Sequence, residues 1–130
     1  MKLTILTPSK EILAPTEVSS LQAPGLKGTL EVLSGHADYA EPLGVGILSY
    51  QNDRGTIKLV ATGGYLEVHH QEILVVADTV EKAEDFEAST LRNHLAQLES
   101  KLSQGGLSPE EFLATLKTRD QEVARLKLFD

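Results

Sequence analysis

Two hydrophobic periods divide the chain. From Leu3 to about Thr79, apolar residues recur at every second position or in short runs, which is the spacing of strands. Strands are predicted around Leu3 and Ile5, over 10–13 and 16–23 with Pro15 between them, and over 28–33, 46–50, 56–61, 65–69 and 72–77. Turn chemistry separates them: Thr7-Pro8-Ser9, Pro24-Gly25, Ser34-Gly35, Asn52 to Gly55, and Thr62-Gly63-Gly64. Gly63-Gly64 lacks the Lys-Ser or Lys-Thr of a phosphate loop, so it reads as a tight turn at positive φ. Short strands with no helical period between them predict an antiparallel sandwich or barrel.

After Asp78 the period lengthens. Ala88, Leu91, Leu95, Leu98 and Leu102 form one helical stripe, with Asp85 as the expected N-cap and Gly105-Gly106 as the stop. Ser108-Pro109-Glu110-Glu111 opens a second helix, with Ser108 as N-cap, Pro109 at the first position and Glu111 completing a capping box. Its stripe is Leu113, Leu116, Val123 and Leu126, with Phe112 alongside. Two helices of ~18 residues, each about 27 Å long, joined by a glycine link predict an antiparallel helical hairpin. The fold class is therefore α+β: an N-terminal antiparallel β-sandwich over 1–84 and a helical hairpin over 85–130. In a heptad reading of the second helix Asp120 occupies a seam position. Either it points to solvent and the stripe shifts, or the hairpin is marginal and able to open.

Composition narrows the function. The chain has 130 residues, 41% hydrophobic but only 5% aromatic and without Trp, so its core must be aliphatic. The net charge is -7, with no basic stripe, which argues against nucleic acid and anionic lipid as partners. Cysteine is absent, excluding disulfides and thiolate metal sites. No apolar run approaches the ~20 residues of a membrane helix, and the first residues lack a signal-peptide pattern. The expectation is a soluble chain that reaches a membrane only through a protein partner.

Catalytic groups do not assemble in the sequence. No G-x-S-x-G is present, and no His-Asp pair stands in a convincing order. The histidines are His36, His69, His70 and His94. His69 and His70, taken as neighbours on a strand, point to opposite faces, so no metal site is expected. His36, just past Gly35, reads as a side chain that locks its loop to backbone. No cofactor is implied.

Four motifs in order carry a resemblance over nearly the whole chain: L-T-I-L-T-P-S-K-E-I-L from Leu3, A-P-G-L-K-G-T-L-E-V-L-S-G-H-A from Ala23, G-G-Y-L-E-V from Gly63, and A-D-T-V-E-K-A-E-D from Ala77. With the two helical segments they resemble the epsilon subunits of F-type ATP synthases. The resemblance implies a non-catalytic rotor subunit of the central stalk, on the cytoplasmic face of the bacterial inner membrane, coupling ion flow to ATP synthesis. It implies the gamma subunit and the c-ring as partners of the sandwich. It further implies a hairpin able to extend toward the alpha and beta catalytic subunits and inhibit ATP hydrolysis. The residues matching the expected c-ring and gamma contact are Thr29, Leu30, Glu31, Gly35, His36, Asp38, Tyr39 and Glu41. The basic residues of an inhibitory helix are Lys117, Arg119, Arg125 and Lys127.

The chain departs from the family loop G-E-L-G-I-L-P-G-H-A. Thr29 replaces the acid, Glu31 the second glycine, and Ser34 the proline, while Asp38 to Leu43 replace a Pro-Leu run. Glu31 shares a strand face with Thr29, ~7 Å away, and is placed to supply the missing acid. The coupling ion, proton or sodium, is not decided by these residues. The segment matching the family's I/L-D-x-x-R-A nucleotide motif is F-E-A-S-T-L from Phe86, with Thr90 at the arginine position and Arg92 about 200° further around the helix, so no nucleotide binding is expected. The alternative from another class is a free-standing sandwich that binds a small ligand, with the helices as a dimerisation arm. It requires a concave apolar pocket with convergent polar groups.

Overall fold

The computed structural model describes residues 1–130. Ten strands precede the helices: β1 Lys2–Leu6, β2 Glu11–Glu17, β3 Ser20–Gly25, β4 Gly28–Leu33, β5 Tyr39–Pro42, β6 Val45–Asn52, β7 Gly55–Thr62, β8 Tyr65–His69, β9 Glu72–Val76 and β10 Thr79–Glu81. They form two five-stranded sheets, ordered β2-β1-β9-β8-β5 and β10-β7-β6-β3-β4. Every pairing is antiparallel except β1 with β9, which run parallel. The alternation read from the sequence fills the space between the sheets with an aliphatic cluster of 16 buried residues, among them Leu3, Ile5, Leu21, Val32, Leu48, Leu66, Ile73 and Val75. Each such side chain contributes roughly 1.5–3 kcal/mol when fully buried.

Three local expectations change. Pro15 does not separate two strands; it lies inside β2, an edge strand whose pairing with β1 shifts register between the Leu3 and Ile5 rungs. A residue without an N–H is tolerated at such an edge. The chain breaks instead at Val18-Ser19. β5 and β10 are strands that the hydrophobic pattern did not mark, because each is short and closes a sheet edge.

A 3-10 turn, Ala83–Asp85, leads to α1 Ala88–Gln104, and α2 Pro109–Leu126 packs back on it. Asp85 therefore caps the short turn, accepting from the Lys82 N–H at 2.9 Å, and the N-cap position of α1 is Glu87. Ser108 caps α2 as expected, its Oγ accepting from the Glu111 N–H at 3.1 Å with Pro109 at the first helical position. Asp120 is exposed and paired with Arg119, so it does not interrupt the seam; the buried acid of α2 is Glu122, 3% exposed. Leu113, assigned to the stripe, is 66% exposed.

The hairpin covers the outside of the second sheet. Ile47, Val60 and Glu81 are partners across β6, β7 and β10, so their side chains share a face. Val60 is fully buried although its neighbours Leu59 and Ala61 face the core. It points to the opposite side, where α2 lies against β6 and presents Val123 and the buried Ala124.

Gly64 closes the turn into β8 at φ +96°, and a Cβ there would meet the Val76 carbonyl oxygen at 1.8 Å. Gly64→Ala is expected to destabilise the fold by more than ~3 kcal/mol, from strain and overlap together. Gly106→Ala, at φ +80° with open space around it, should cost only about 1–2 kcal/mol. Urea unfolding midpoints for the two variants check the difference, and equal shifts would show that the backbone at Gly64 yields.

Candidate functional site

The eight residues singled out on the sandwich form one continuous edge. β4 and β5 are terminal strands of the two sheets, and the loop 34–38 joins them. On β4, Thr29 and Glu31 are exposed on one face, Leu30 is half-buried and Val32 enters the core. Glu31 accepts a hydrogen bond from the Gln22 side chain at 3.2 Å. The loop turns tightly, with the His36 N–H donating to the Leu33 carbonyl at 3.0 Å and Gly35 at φ +85°. His36 Nδ1 lies 2.7 Å from the Ala37 carbonyl oxygen, and its ring meets Tyr39 edge-on at 6.1 Å. The backbone bond is the loop-locking contact expected from the sequence.

Asp38 and Glu41 behave differently from their neighbours. Asp38 reaches across to the β8–β9 turn, where its Oδ1 accepts from the His70 N–H at 3.1 Å and its Oδ2 lies 3.1 Å from His69 Nδ1. The His70 N–H, assisted by the two imidazoles, holds the Asp38 carboxyl below the usual carboxylate range. Glu41 turns inward and is only 6% exposed, so its side chain is not presented at the surface of the edge. Its Oε1 accepts from the Tyr39 hydroxyl at 2.6 Å, which raises the tyrosine pKa, while Oε2 has no partner. Gly25 supplies the room, since a Cβ there would fall 1.6 Å from Oε2.

The edge is also where apolar surface is left open. Seven large hydrophobic side chains are exposed, and four of them, Leu26, Leu33, Tyr39 and Tyr65, sit on the β3–β4 turn, β4, β5 or β8, whose Tyr65 pairs with Pro42 of β5. The other three, Phe112, Leu113 and Phe129, are on the helical segment. The four on the sandwich do not form one patch: Leu33 lies on the outer face of its sheet with Glu31, Tyr65 on the outer face of the other sheet, and Tyr39 on the inward side with Glu41.

The four basic residues of α2 are not equivalent. Lys117 and Lys127 are exposed and make no ion pair, and Arg119 pairs with Asp120 at 3.0 Å. Arg125 is held. Its guanidinium donates two bonds to Glu81 of β10, at 3.0 and 2.8 Å, and one to Glu122 at 2.5 Å. It also lies 4.9 Å from the centre of the Phe86 ring, within cation–π range. Glu81 foremost, then Glu122, raises its already high pKa against the opposing effect of burial. His94 of α1 completes the group, its Nδ1 3.4 Å from Glu122 Oε2. The sequence offered no sign of this ion network, because its members are 44 residues apart.

The fold defines a two-part protein, a β-sandwich carrying a helical hairpin docked on one sheet by ion pairs. Residues 1–83 match the sequence profile of the family "ATP synthase, Delta/Epsilon chain, beta-sandwich domain". The ATP synthase epsilon chain of Pelotomaculum thermopropionicum is 34% identical over 102 residues, 78% of this chain and 75% of that one. That of Moorella thermoacetica is 32% identical over 130 residues, covering 98% and 94%. The fold also matches a chain in the cryo-EM structure of the Euglena gracilis mitochondrial ATP synthase, with a TM-score of 0.86 at 18% identity over 98% of this chain and 80% of that one. This chain belongs to the ATP synthase epsilon chain family. No helix is long and apolar enough to cross a membrane.

Replacing Arg125 leaves the buried Glu122 with only the His94 imidazole beside it and removes the grip on Glu81. Arg125→Ala is expected to weaken hairpin docking by about 3 kcal/mol while the sandwich core stays intact. Amide exchange should then lose protection across 109–126 and keep it in β1, β8 and β9. Native protection in α2 of the variant would show that apolar contact alone holds the hairpin.

Proposed function

We propose that this chain is the non-catalytic epsilon subunit of a rotary F-type ATP synthase, peripheral to the cytoplasmic face of a bacterial inner membrane. In this reading the β4–β5 edge binds the gamma subunit and the c-ring, coupling ion translocation to ATP synthesis, and the hairpin brakes ATP hydrolysis. The observation that carries the reading is the sandwich of an epsilon-family chain whose β4 and β5, joined by the loop 34–38, end the two sheets side by side. A free-standing ligand-binding module is not favoured: the groove formed by Lys2, Thr4, Pro15, Glu67, His69, Glu72, Ile73 and Leu74 is open to solvent, with only two hydrophobic residues in its lining.

The brake follows from the difference between the two parts. The sandwich has a 16-residue core, whereas the hairpin adheres through Val60, Ala124 and the Arg125 ion pairs. Opening of so small a contact needs only a few kcal/mol. On extension Arg125 leaves Glu81 and joins Lys117, Arg119 and Lys127 as the positive groups of this segment that meet acidic surfaces of the catalytic subunits. Removing the chain beyond about residue 85 is expected to leave copurification with the gamma subunit and ATP synthesis intact and to raise ATP hydrolysis. Failure of the full chain to recover a gamma subunit from membranes sinks the assignment. Unchanged hydrolysis on truncation sinks only the brake.

Glu31 stands for the acid that Thr29 lacks, and both are exposed on the same face of β4. Glu31→Ala should reduce ATP-driven ion pumping in the assembled enzyme several-fold more than Thr29→Ala. Equal pumping by the two variants removes Glu31 from the coupling contact.

A further inference from the structure

The β8–β9 connection places two imidazoles where the strand period alone would separate them. The strands are joined by a two-residue turn, His70-Gln71, with φ at +48° and +66°, the pattern of a type I′ hairpin. Positive φ takes His70 out of the alternation of β8. Its ring comes to lie 3.9 Å from that of His69, centre to centre, at an interplanar angle of 60°. The sequence-based expectation that these histidines face opposite ways is thus corrected. Asp38 arrives from the opposite direction, on the loop leading into β5. Its backbone bond to His70 fixes the carboxylate, and its free oxygen faces His69. One ligand atom from each of the three residues lies within 4.8 Å of the others.

We propose that Asp38, His69 and His70 form a binding site for a divalent transition-metal ion of the zinc class. Two imidazoles and one carboxylate are a donor set suited to Zn²⁺, Ni²⁺, Co²⁺ or Cu²⁺, and poorly suited to Mg²⁺ or Ca²⁺, which take oxygen ligands. The spacing fits. Atoms 3.1 Å apart, such as His69 Nδ1 and Asp38 Oδ2, each about 2.1 Å from an ion, subtend about 95° at it. The Asp38–His70 backbone bond acts as the orienting contact that metal-ligating carboxylates commonly have. All three residues are exposed, so the ion keeps at least one coordination position for water. Bound there, it ties the loop 34–38, which carries His36, to the β8–β9 turn. A surface Asp–His pair alone would add little to that tie. The site needs no other subunit, and it stands whether or not the chain acts in an ATP synthase.

The test is Zn²⁺ titration of the full, tag-free chain after chelator treatment, followed by calorimetry. The expected result is one equivalent bound at micromolar concentration and no response to Mg²⁺. Asp38→Ala, His69→Ala and His70→Ala should each weaken binding at least tenfold, and His94→Gln should leave it unchanged. Imidazole resonances of the unaltered chain give a second readout: Zn²⁺ should shift those of His69 and His70 and leave His94 in place. No stoichiometric binding at tens of micromolar Zn²⁺, native affinity in a His69→Ala/His70→Ala double variant, or shifts confined to His36 or His94 would each overturn the assignment.

Discussion

Arg125 sits where the two parts of the molecule meet, and the placement of the hairpin depends on it. Sheet β10-β7-β6-β3-β4 has one face in the core and carries Val60 and Ile47 on the other, so that face cannot be left wholly to water. α2 covers it, but with a small apolar contribution, since Ala124 is the only hydrophobic residue of that helix counted as buried. The remainder is ionic. Glu122 is almost fully buried, and such a carboxylate is tolerated only with a charged partner. Arg125 supplies it and at the same time grips Glu81 on the sheet. A buried pair of this kind adds little net stability, because desolvation offsets most of the attraction. What it adds is register. The fork of one guanidinium meets Glu81 in a single geometry, so the helix docks in one place.

Such a contact is firm in position and modest in energy, a combination suited to a part that moves. The sandwich is held by largely aliphatic burial distributed over seven of its strands and three connecting residues, and no single contact opens it. The hairpin is held at one cluster, and loss of that cluster releases it as a unit. The two helices still pack on each other through Leu91, Leu95, Leu98 and Leu102, whose burial continues along the stripe. The contacts that form the hairpin thus differ from those that dock it on the sheet, and a released pair of helices, with little buried surface of its own, frays more readily than the docked one.

The parts legible in the sequence are those governed by local periodicity. Alternation identified the central strands, and the caps at Ser108 and the glycines at 105 and 106 placed the helix ends. Where neighbours in space decide, the reading changes. β10 is a strand because β7 offers it an edge, and Pro15 sits in β2 because nothing pairs on that side. Asp120 and Glu122 exchange roles because the helix faces a sheet as well as its partner helix, which rotates the buried stripe away from a two-helix seam. The His69–His70 pair was misread for a different reason. The strand period was carried one residue too far, and a single positive φ reversed the conclusion. Glu41 belongs with these cases: nothing in Y-A-E-P signals that the acid turns inward, and the missing side chain of Gly25 is what admits it.

The β4–β5 side has the opposite character. Terminal strands expose unpaired backbone groups and invite pairing with other chains. Here the hazard is moderated by local devices. β5 is four residues long and ends in Pro42, and β4 carries Glu31 on its open face. Leu33, Tyr39 and Tyr65 are exposed around this side, with Leu26 at its turn, but they point to different faces of the sandwich. Spread in this way they are ordinary surface hydrophobics rather than one patch. What distinguishes this side is the backbone of two terminal strands, kept short or charged so that indiscriminate strand pairing is disfavoured.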